Sequence, residues 1–369
     1  MSLWVDKYRP TNLSNLSHNE SLKHQLEQLA QNNPHDLPHL LFYGPNGAGK
    51  KTRAMCLLNS IFDSSIYKLK IDVRQFQVNS RKLELNVVSS PHHIEITPSD
   101  LGGSYDRVVI QELLKEVGQT EQVEFGQAAN SVAKDGISHQ SPKFKVVIIN
   151  DANSLSRDAQ SALRRTMEKY SKNLRLIMLC DSLSSIISPI KSRVLLIRTP
   201  TPTMIENMGI LQNVCVKEKV SVESKDILEK IVDYSNGNLR VSLLCLETMA
   251  LSNDLRLKDN TALVKPDWKV VISKMGTRII KERSVSSLIE CRSTLYDLLA
   301  HCIPADTIMH ELTLDLLEKL SENSNDTLKL KVVSWASVFD ERLALGSKAI
   351  YHLEGFIARV MCELDASRV

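Results

Sequence analysis

Aromatic residues are scarce in this chain, and long hydrophobic runs are missing from it. Phe, Trp and Tyr make up 5% of the 369 residues and are not interleaved with basic stretches. Neither sequence-specific recognition nor stacking on single-stranded nucleic acid is therefore indicated. No apolar stretch approaches the roughly 18 to 20 residues that span a bilayer, and residues 1–6 lack the charged-then-apolar pattern of a secretory leader. We expect an intracellular protein without membrane contact.

Paired cysteines and a strong charge of either sign are also missing. The seven cysteines form no C-x-x-C pair and most lie in apolar segments, which favours buried reduced thiols over disulfides or zinc ligands. The net charge is +3, so contact with nucleic acid would have to come from a local patch. Hydrophobic content of 43% in 369 residues is typical of a soluble protein with two or three domains.

Short apolar runs rich in β-formers alternate with helical patterns between Leu40 and Arg198. The predicted strands are 40–43, 67–71, 93–96, 145–149, 174–180 and 194–197, and the predicted helices include 53–62, 108–117 and 158–170. This alternation favours the α/β class with a doubly wound, mostly parallel sheet. A nucleotide would bind at the carboxyl ends of its strands.

The segment Thr199–Thr203 breaks this alternation. Its two prolines suit neither a helix nor a central strand, and apolar residues recur at helical spacing after it. We predict a nucleotide-binding domain over 1–200, a small helical lid domain over 201–257 and an all-α C-terminal domain over 258–369. The last predicted helix carries an apolar stripe that suits either a core or an oligomer interface. This stripe consists of Ile350, Leu353, Phe356, Val360 and Leu364.

Nine residues after the first predicted strand form a phosphate-binding loop. They are Gly44, Pro45, Asn46, Gly47, Ala48, Gly49, Lys50, Lys51 and Thr52. The glycines let backbone N–H groups approach phosphate oxygens, and the following helix N-terminus and Lys50 add positive potential. The residue after this lysine is usually Ser or Thr, whose hydroxyl binds Mg²⁺, but here it is Lys51. Thr52 does not replace it, because one step along a helix turns the side chain by roughly 100°.

Four further motifs occur in a particular order along the chain. They are Trp4–Pro10, Asp158–Glu168, Pro189–Arg193 and Gly237–Arg240. Together they closely resemble the small subunits of eukaryotic replication factor C, the AAA+ loader of the sliding clamp. The resemblance implies an AAA+ P-loop fold over the first two domains, and the helical tail is similar to that family's collar, through which subunits oligomerise.

The resemblance also implies which residues contact the nucleotide. Val5, Arg9 and Ser17 match segments that pack on the adenine side, and Arg240 matches the family's second sensor, an arginine that reaches the phosphates from the lid. Trp4 and Tyr8 lie in the same segment. Their side chains could serve the adenine or could be ordinary packing residues, and the sequence leaves both alternatives open.

Three positions depart from the pattern of an active member of this family. After the strand 145–149 an active member has Asp and then Glu, for Mg²⁺ coordination and water activation, whereas this chain has Asn150 and Asp151. An amide carries no charge for a hard cation, and Asp is one methylene shorter than Glu. The sensor position after strand 174–180 holds Asp181, whose carboxylate would repel a phosphate. With Lys51, these positions predict a site that binds a nucleotide and hydrolyses it poorly.

Arg193 is the predicted catalytic residue, acting in a neighbouring subunit. It matches the arginine of the family's Ser-Arg-Cys motif, although Val194 replaces the cysteine. In the family this arginine points into the ATP site of the adjacent subunit, where it stabilises charge on the transferring phosphoryl group. The candidates for contact with the DNA backbone are Ser104, Arg107, Arg164 and Arg165.

The resemblance thus implies a weakened AAA+ subunit of a hetero-pentameric nuclear clamp loader. We expect it to bind ATP or ADP, with ADP favoured as the retained nucleotide, with Mg²⁺ bound weakly or not at all and no other metal site. The implied partners are the other replication factor C subunits, the sliding clamp PCNA, primer–template DNA and the large subunits of alternative clamp loaders. An autonomous ATPase and a purely structural, nucleotide-stabilised scaffold are the alternatives.

Overall fold

The computed structural model describes residues 2–32, 36–78, 81–98, 105–119, 144–258, 261–321 and 326–366. The chain divides into two compact units, Met1–Leu263 and Val264–Val369. Within the described residues, the first unit combines a large sheet with helices, and the second is helical. The predicted domain bounds at residues 200 and 257 stay predictions.

The strands are numbered in chain order. They are β1 Leu40–Tyr43, β2 Lys70–Val78, β3 Arg81–Ser89, β4 His93–Ile96, β5 Lys145–Ile149, β6 Leu174–Cys180, β7 Leu195–Arg198, β8 Ser221–Val222 and β9 Arg256–Leu257. The helices of the first unit are α1 Trp4–Lys7, α2 Glu20–Asn32, α3 Lys50–Phe62, α4 Asp106–Gln119, α5 Arg157–Lys169, α6 Ser188–Lys191, α7 Met204–Glu218, α8 Asp226–Ser235 and α9 Leu239–Ser252. Those of the second unit are α10 Asp267–Lys281, α11 Val285–Ala300, α12 Ala305–Ser321, α13 Asp326–Leu345 and α14 Ala349–Ala366.

The main sheet has the strand order β2-β3-β4-β5-β6-β1-β7. The five strands from β4 to β7 in this order pair in parallel, while β2 and β3 extend the sheet as an antiparallel hairpin. Along β5, Val146 and Ile148 pack in the core that α2 and α3 cover. Val147 and Ile149 pack in the core that α4 and α5 cover. Helices on both faces confirm the predicted doubly wound, mostly parallel sheet.

The hairpin β2–β3 is the main departure from the predicted strands. We predicted a strand over Tyr67–Ile71, but Ser64–Tyr67 forms a 3₁₀ helix and β2 runs over Lys70–Val78. Ile71 is 72% exposed whereas Leu85 is buried. An antiparallel hairpin with one solvated side lacks the continuous apolar run on which the prediction depended.

The segment Thr199–Thr203 connects β7 to α7 without helix or strand, as its prolines predict. Thr203 then begins α7 with a capping box. Its hydroxyl accepts a hydrogen bond from the backbone N–H of Glu206 at 3.3 Å, and the Glu206 carboxylate accepts one from the backbone N–H of Thr203 at 2.8 Å. This reciprocal capping fixes where the helix starts.

The N-terminal segment packs into the core formed by α7, α8 and α9. Trp4 is buried in that core, and its backbone N–H donates to Glu247 Oε2 at 3.0 Å. The Tyr8 hydroxyl donates to Glu218 Oε1 at 2.6 Å. These contacts favour the packing alternative for both aromatic residues.

The helices α10 to α14 enclose one core in the second unit. The stripe on α14 belongs to it, with Ile350 packed against its edge and the remaining members buried: Leu353, Phe356, Val360 and Leu364. The stripe is therefore core within this unit. Helix α13 was not among the predicted helices, and on it buried Val332 lies next to exposed Val333.

The seven cysteines all lie in the described residues, and none of them forms a disulfide bond. Cys302 and Cys362 are exposed, and the predicted burial is right for the other five: Cys56, Cys180, Cys215, Cys245 and Cys291.

Within the described residues, no helix has both the length and the hydrophobicity of a membrane span. No group of three His, Cys, Asp or Glu side chains in this part of the chain could hold a metal ion.

Candidate nucleotide site

The phosphate-binding loop lies between the end of β1 and the start of α3. Gly44 and Gly47 have φ angles of +151° and +74°, which side chains rarely tolerate. A Cβ at Gly44 would lie 2.0 Å from the carbonyl oxygen of Thr199, and one at Gly47 would lie 1.8 Å from Asn238 Oδ1. Both positions require glycine, because other segments of the first unit pass directly against the loop.

The Lys50 ammonium is engaged by its own chain. Its Nζ donates to the carbonyl oxygens of Gly44 at 2.6 Å and Pro45 at 3.2 Å, and to Oδ1 of Asp181 at 2.5 Å. The Lys50 side chain is 11% exposed. Asp181 therefore lies at the phosphate loop as the ion-pair partner of the loop lysine, and its correspondence to the family's sensor position stays a prediction.

The side chain of Lys51 reaches β4, which is separated from β1 by β5 and β6 in the sheet. Its Nζ lies 2.6 Å from Oε2 of Glu95 on β4, whose side chain is 5% exposed. The buried ring of His93 approaches the second carboxylate oxygen at 3.6 Å. Burial alone would raise the pKa of Glu95, but the adjacent His93 ring and the hydrogen bond from Lys51 outweigh it and hold the pKa below its usual value. Lys51 thus occupies the sequence position of the metal-binding hydroxyl of other P-loops, and its ammonium is paired with Glu95.

A buried guanidinium and a buried imidazole adjoin the loop, and sequence reasoning missed both. Arg53 is 1% exposed and donates to the carbonyl oxygens of Ala48 at 2.7 Å and His18 at 3.3 Å. Burial lowers the pKa of Arg53 to about 10, so it stays charged at neutral pH. Burial and the Arg53 charge lower the pKa of His18 to about 4, so its ring is neutral. An arginine in an otherwise apolar helical run was the available signal.

The remaining loop residues differ in exposure. Pro45 and Asn46 are exposed, Ala48 is fully buried, and Gly49 and Thr52 are half-buried. Since Ala48 and Gly49 precede α3 directly, their backbone groups lie at the N-terminus of that helix, where an anion is favoured.

The two residues that follow β5, Asn150 and Asp151, are not the ion-pair partners of the loop lysines. Asn150 donates from Nδ2 to the hydroxyl of Thr97 at 3.3 Å. Asp151 is exposed and adopts a left-handed conformation with a φ of +47°. Neither loop lysine pairs with Asp151, since Lys50 and Lys51 form their ion pairs with Asp181 and Glu95.

The candidates on the adenine side occupy different environments. Val5 is half-buried against the lid core. Arg9 is exposed and forms an ion pair with Asp6 at 2.9 Å, and Ser17 is exposed next to buried His18. Their contact with a nucleotide stays a prediction.

Arg240 is exposed in the first turn of α9. Asn238 caps the same helix, accepting a hydrogen bond from the backbone N–H of Val241 at 3.2 Å. Because the Asn238 side chain also borders Gly47, the start of α9 lies against the phosphate loop. Arg240 therefore lies where an arginine of the lid would have to lie to reach the phosphates. Its role as the second sensor stays a prediction.

Arg193 lies between α6 and β7 and is held by Glu168 of α5. Its Nε donates to Glu168 Oε1 at 2.7 Å, and its Nη1 donates to the carbonyl oxygen of Pro189 at 2.7 Å. The hydrogen bond from Arg193, together with the Arg193 charge, lowers the pKa of Glu168, and Arg164 approaches the same carboxylate oxygen at 3.6 Å. The Arg193 side chain is 30% exposed, so its guanidinium is oriented by its own chain and still reachable.

The candidates for DNA contact lie on two neighbouring helices, apart from Ser104, which is outside the described residues. The three others are exposed: Arg107 on α4, and Arg164 and Arg165 on α5. Buried Asp106 of α4 accepts a hydrogen bond at 2.7 Å from the backbone N–H of Ser156, the N-cap of α5. This bond brings the first turns of the two helices together.

The parallel sheet, the glycine loop after β1 and the helical lid define an AAA+ P-loop protein. Three family models match the chain: "DNA polymerase III, delta subunit" over residues 18–203, "RCF1/5-like, AAA+ ATPase lid domain" over 209–251, and "Replication factor C subunit 3, C-terminal domain" over 268–368. The chain is 63% identical over 366 residues to replication factor C subunit 5 of Saccharomyces cerevisiae, covering 99% of this chain and 100% of that protein. It is 41% identical over 362 residues to replication factor C subunit 3 of Homo sapiens, covering 98% and 96%. The chain belongs to the replication factor C small-subunit family.

Among solved structures, the fold is similar to the RuvB Holliday junction branch migration motor of Thermotoga maritima. The TM-score is 0.48 at 15% sequence identity, over 79% of this chain and 88% of that one.

Proposed function

We propose that this chain is a clamp-loader subunit whose own site retains an adenine nucleotide without turning it over. One observation carries the proposal. Lys51 stands where a metal-binding hydroxyl is expected, and its ammonium is tied to buried Glu95 at 2.6 Å. A resident cation of this kind opposes a divalent metal at the same position through like-charge repulsion.

The surroundings of the loop support binding without hydrolysis. The glycine conformations and the N-terminus of α3 suit phosphate. Asn150 supplies no charge for Mg²⁺, and exposed Asp151 replaces the longer Glu that would orient an attacking water. With Lys50 and Lys51 both paired to carboxylates, the less charged ADP is favoured over ATP, and Mg²⁺ binds weakly or not at all.

We assign catalysis to Arg193, acting on the nucleotide of a neighbouring subunit. Its guanidinium is preorganised by Glu168 and by the Pro189 carbonyl and is partly exposed at the start of an edge strand. A neighbour's phosphate would replace Glu168 as its anionic partner. Such an arginine typically contributes about 10³ to 10⁵ in rate at the site it serves.

The proposed assembly is a nuclear hetero-pentamer with the other replication factor C subunits, formed through the helical C-terminal domain. It loads the sliding clamp PCNA onto primer–template DNA in replication and repair. Arg107, Arg164 and Arg165, exposed on two joined helices, would contact the DNA backbone without reading sequence. The same subunit would also serve alternative clamp loaders with other large subunits.

The test is the ATPase of the complete complex with two variants of this chain, Arg193→Ala and Lys50→Ala. We expect Arg193→Ala to remove the clamp- and DNA-stimulated turnover of one neighbouring site, and Lys50→Ala to leave turnover nearly unchanged. If Lys50→Ala abolishes most turnover, the chain is an autonomous ATPase. If neither variant changes turnover, it is a structural scaffold.

A further inference from the structure

The pair of Lys50 and Asp181 is fixed by the sheet and satisfies the lysine completely. Tyr43 of β1 and Cys180 of β6 are parallel partners, so the residues that follow them, Gly44 and Asp181, leave the sheet side by side. An ammonium has three N–H donors. Those of Lys50 have three acceptors, namely the carbonyl oxygens of Gly44 and Pro45 and a carboxylate oxygen of Asp181.

In a P-loop this lysine normally reaches the β- and γ-phosphates of the nucleotide. Here a carboxylate of the same chain already holds it at 2.5 Å, in a setting where the lysine side chain is 11% exposed. Charge pairs that are partly shielded from water interact more strongly than surface pairs. An incoming terminal phosphate has to displace Asp181 and then lie beside its negative charge.

The β-phosphate does not meet the same obstacle. The backbone N–H groups of the glycine loop and the N-terminus of α3 serve it without the lysine. The obstacle is therefore greatest for the third phosphate, because the β-phosphate also has the backbone N–H groups of the loop.

We propose that Asp181 determines nucleotide specificity by occupying Lys50 in place of a γ-phosphate, so that the site selects nucleoside diphosphates over triphosphates. This inference rests on the nucleotide site proposed above and names what it selects. It gives Asp181 an active role, in contrast to the loss of a sensor side chain that the sequence alone indicated.

The experiment measures the dissociation constants of ADP and ATP for the full chain, stripped of nucleotide, by calorimetry with and without Mg²⁺. The variants are Asp181→Asn, which removes the charge at constant shape, and Asp181→Glu, which retains it. The matched control is Asp233→Asn, which removes a carboxylate exposed on α8.

We expect the unaltered chain to bind ADP at least about tenfold more tightly than ATP, a ratio that reflects one uncompensated like-charge contact. Asp181→Asn should bring this ratio close to one, mainly by tighter ATP binding, while Asp181→Glu and Asp233→Asn retain it. An unchanged ratio in Asp181→Asn overturns the inference. The inference is also overturned if Asp181→Asn weakens ATP binding only when Mg²⁺ is present, because Asp181 would then be a metal ligand. If the unaltered chain binds neither nucleotide, the proposed nucleotide site itself is wrong.

Discussion

The ammonium of Lys51 and the buried carboxylate of Glu95 lie 2.6 Å apart, joining α3 to β4. Since the Glu95 side chain is 5% exposed, removing its cation leaves a charge in a desolvated position. We expect Lys51→Met to lower the free energy of unfolding by roughly 1–2 kcal/mol, less than for a fully buried pair because Lys51 is 43% exposed. Urea denaturation of the full chain measures this.

The control is the double variant Lys51→Met with Glu95→Gln. Removing the carboxylate charge as well should recover most of the lost stability. If Lys51→Met has the stability of the unaltered chain, the ion pair contributes nothing to the free energy of unfolding. The ion pair would then no longer support the proposed function.

Acid should destabilise the chain through His18. Its pKa is lowered to about 4 by burial and by the Arg53 charge, whereas an unfolded histidine has a pKa near 6.5. Between these values the unfolded chain binds a proton that the folded chain does not. The contribution is therefore fully present above about pH 6.5 and is lost as the pH falls toward 4.

The variant His18→Gln should flatten the pH dependence of stability in that window by up to about 3 kcal/mol. The midpoint of urea unfolding at a series of pH values measures it. His24→Gln, at an exposed histidine of α2, is the control and should leave the profile unchanged. An unchanged profile in His18→Gln would mean that His18 is accessible to protons in the folded chain.

Gly47 should tolerate no side chain. A Cβ there would lie 1.8 Å from Asn238 Oδ1, and the φ of +74° is itself unfavourable for other residues. We expect Gly47→Ala to displace the loop from the start of α9 and to abolish nucleotide retention, measured as nucleotide bound per purified chain.

Gly209 of α7 is the matched control, because a Cβ there meets no atom within 4 Å. Gly209→Ala should retain nucleotide and gain about 0.5–1 kcal/mol of stability, as expected for alanine inside a helix. Full nucleotide retention by Gly47→Ala would show that the observed loop conformation is not the one that binds.

Much of the fold could be predicted because its central strands are buried on both faces. Four predicted strands, including 40–43 and 145–149, have the bounds found in the structure. The hairpin could not be found in this way, since its exposed side carries polar and apolar residues in no continuous run. Nor does α13 present a one-sided stripe.

The candidate site was predictable only as a set of residues. The phosphate loop is local in sequence, but its ion pairs join residues 131 and 44 positions apart, and such partners depend on strand order. Glu95 offered one signal, because a carboxylate in the middle of the apolar strand 93–96 requires a cation. Its partner became evident only from the tertiary structure.

The proposed function requires that this chain retain a nucleotide that it does not turn over. The direct test is to incubate the purified complex with labelled ATP and Mg²⁺, remove free nucleotide, denature the protein and identify what is released. A complex containing Gly47→Ala in this chain, the variant expected to lose nucleotide retention, is the reference for the other sites. We predict that the unaltered complex releases one additional, unlabelled ADP for each copy of this chain. Labelled ATP from this site would show that its nucleotide exchanges, and labelled ADP would show that it also turns over. Either result would contradict the proposed function.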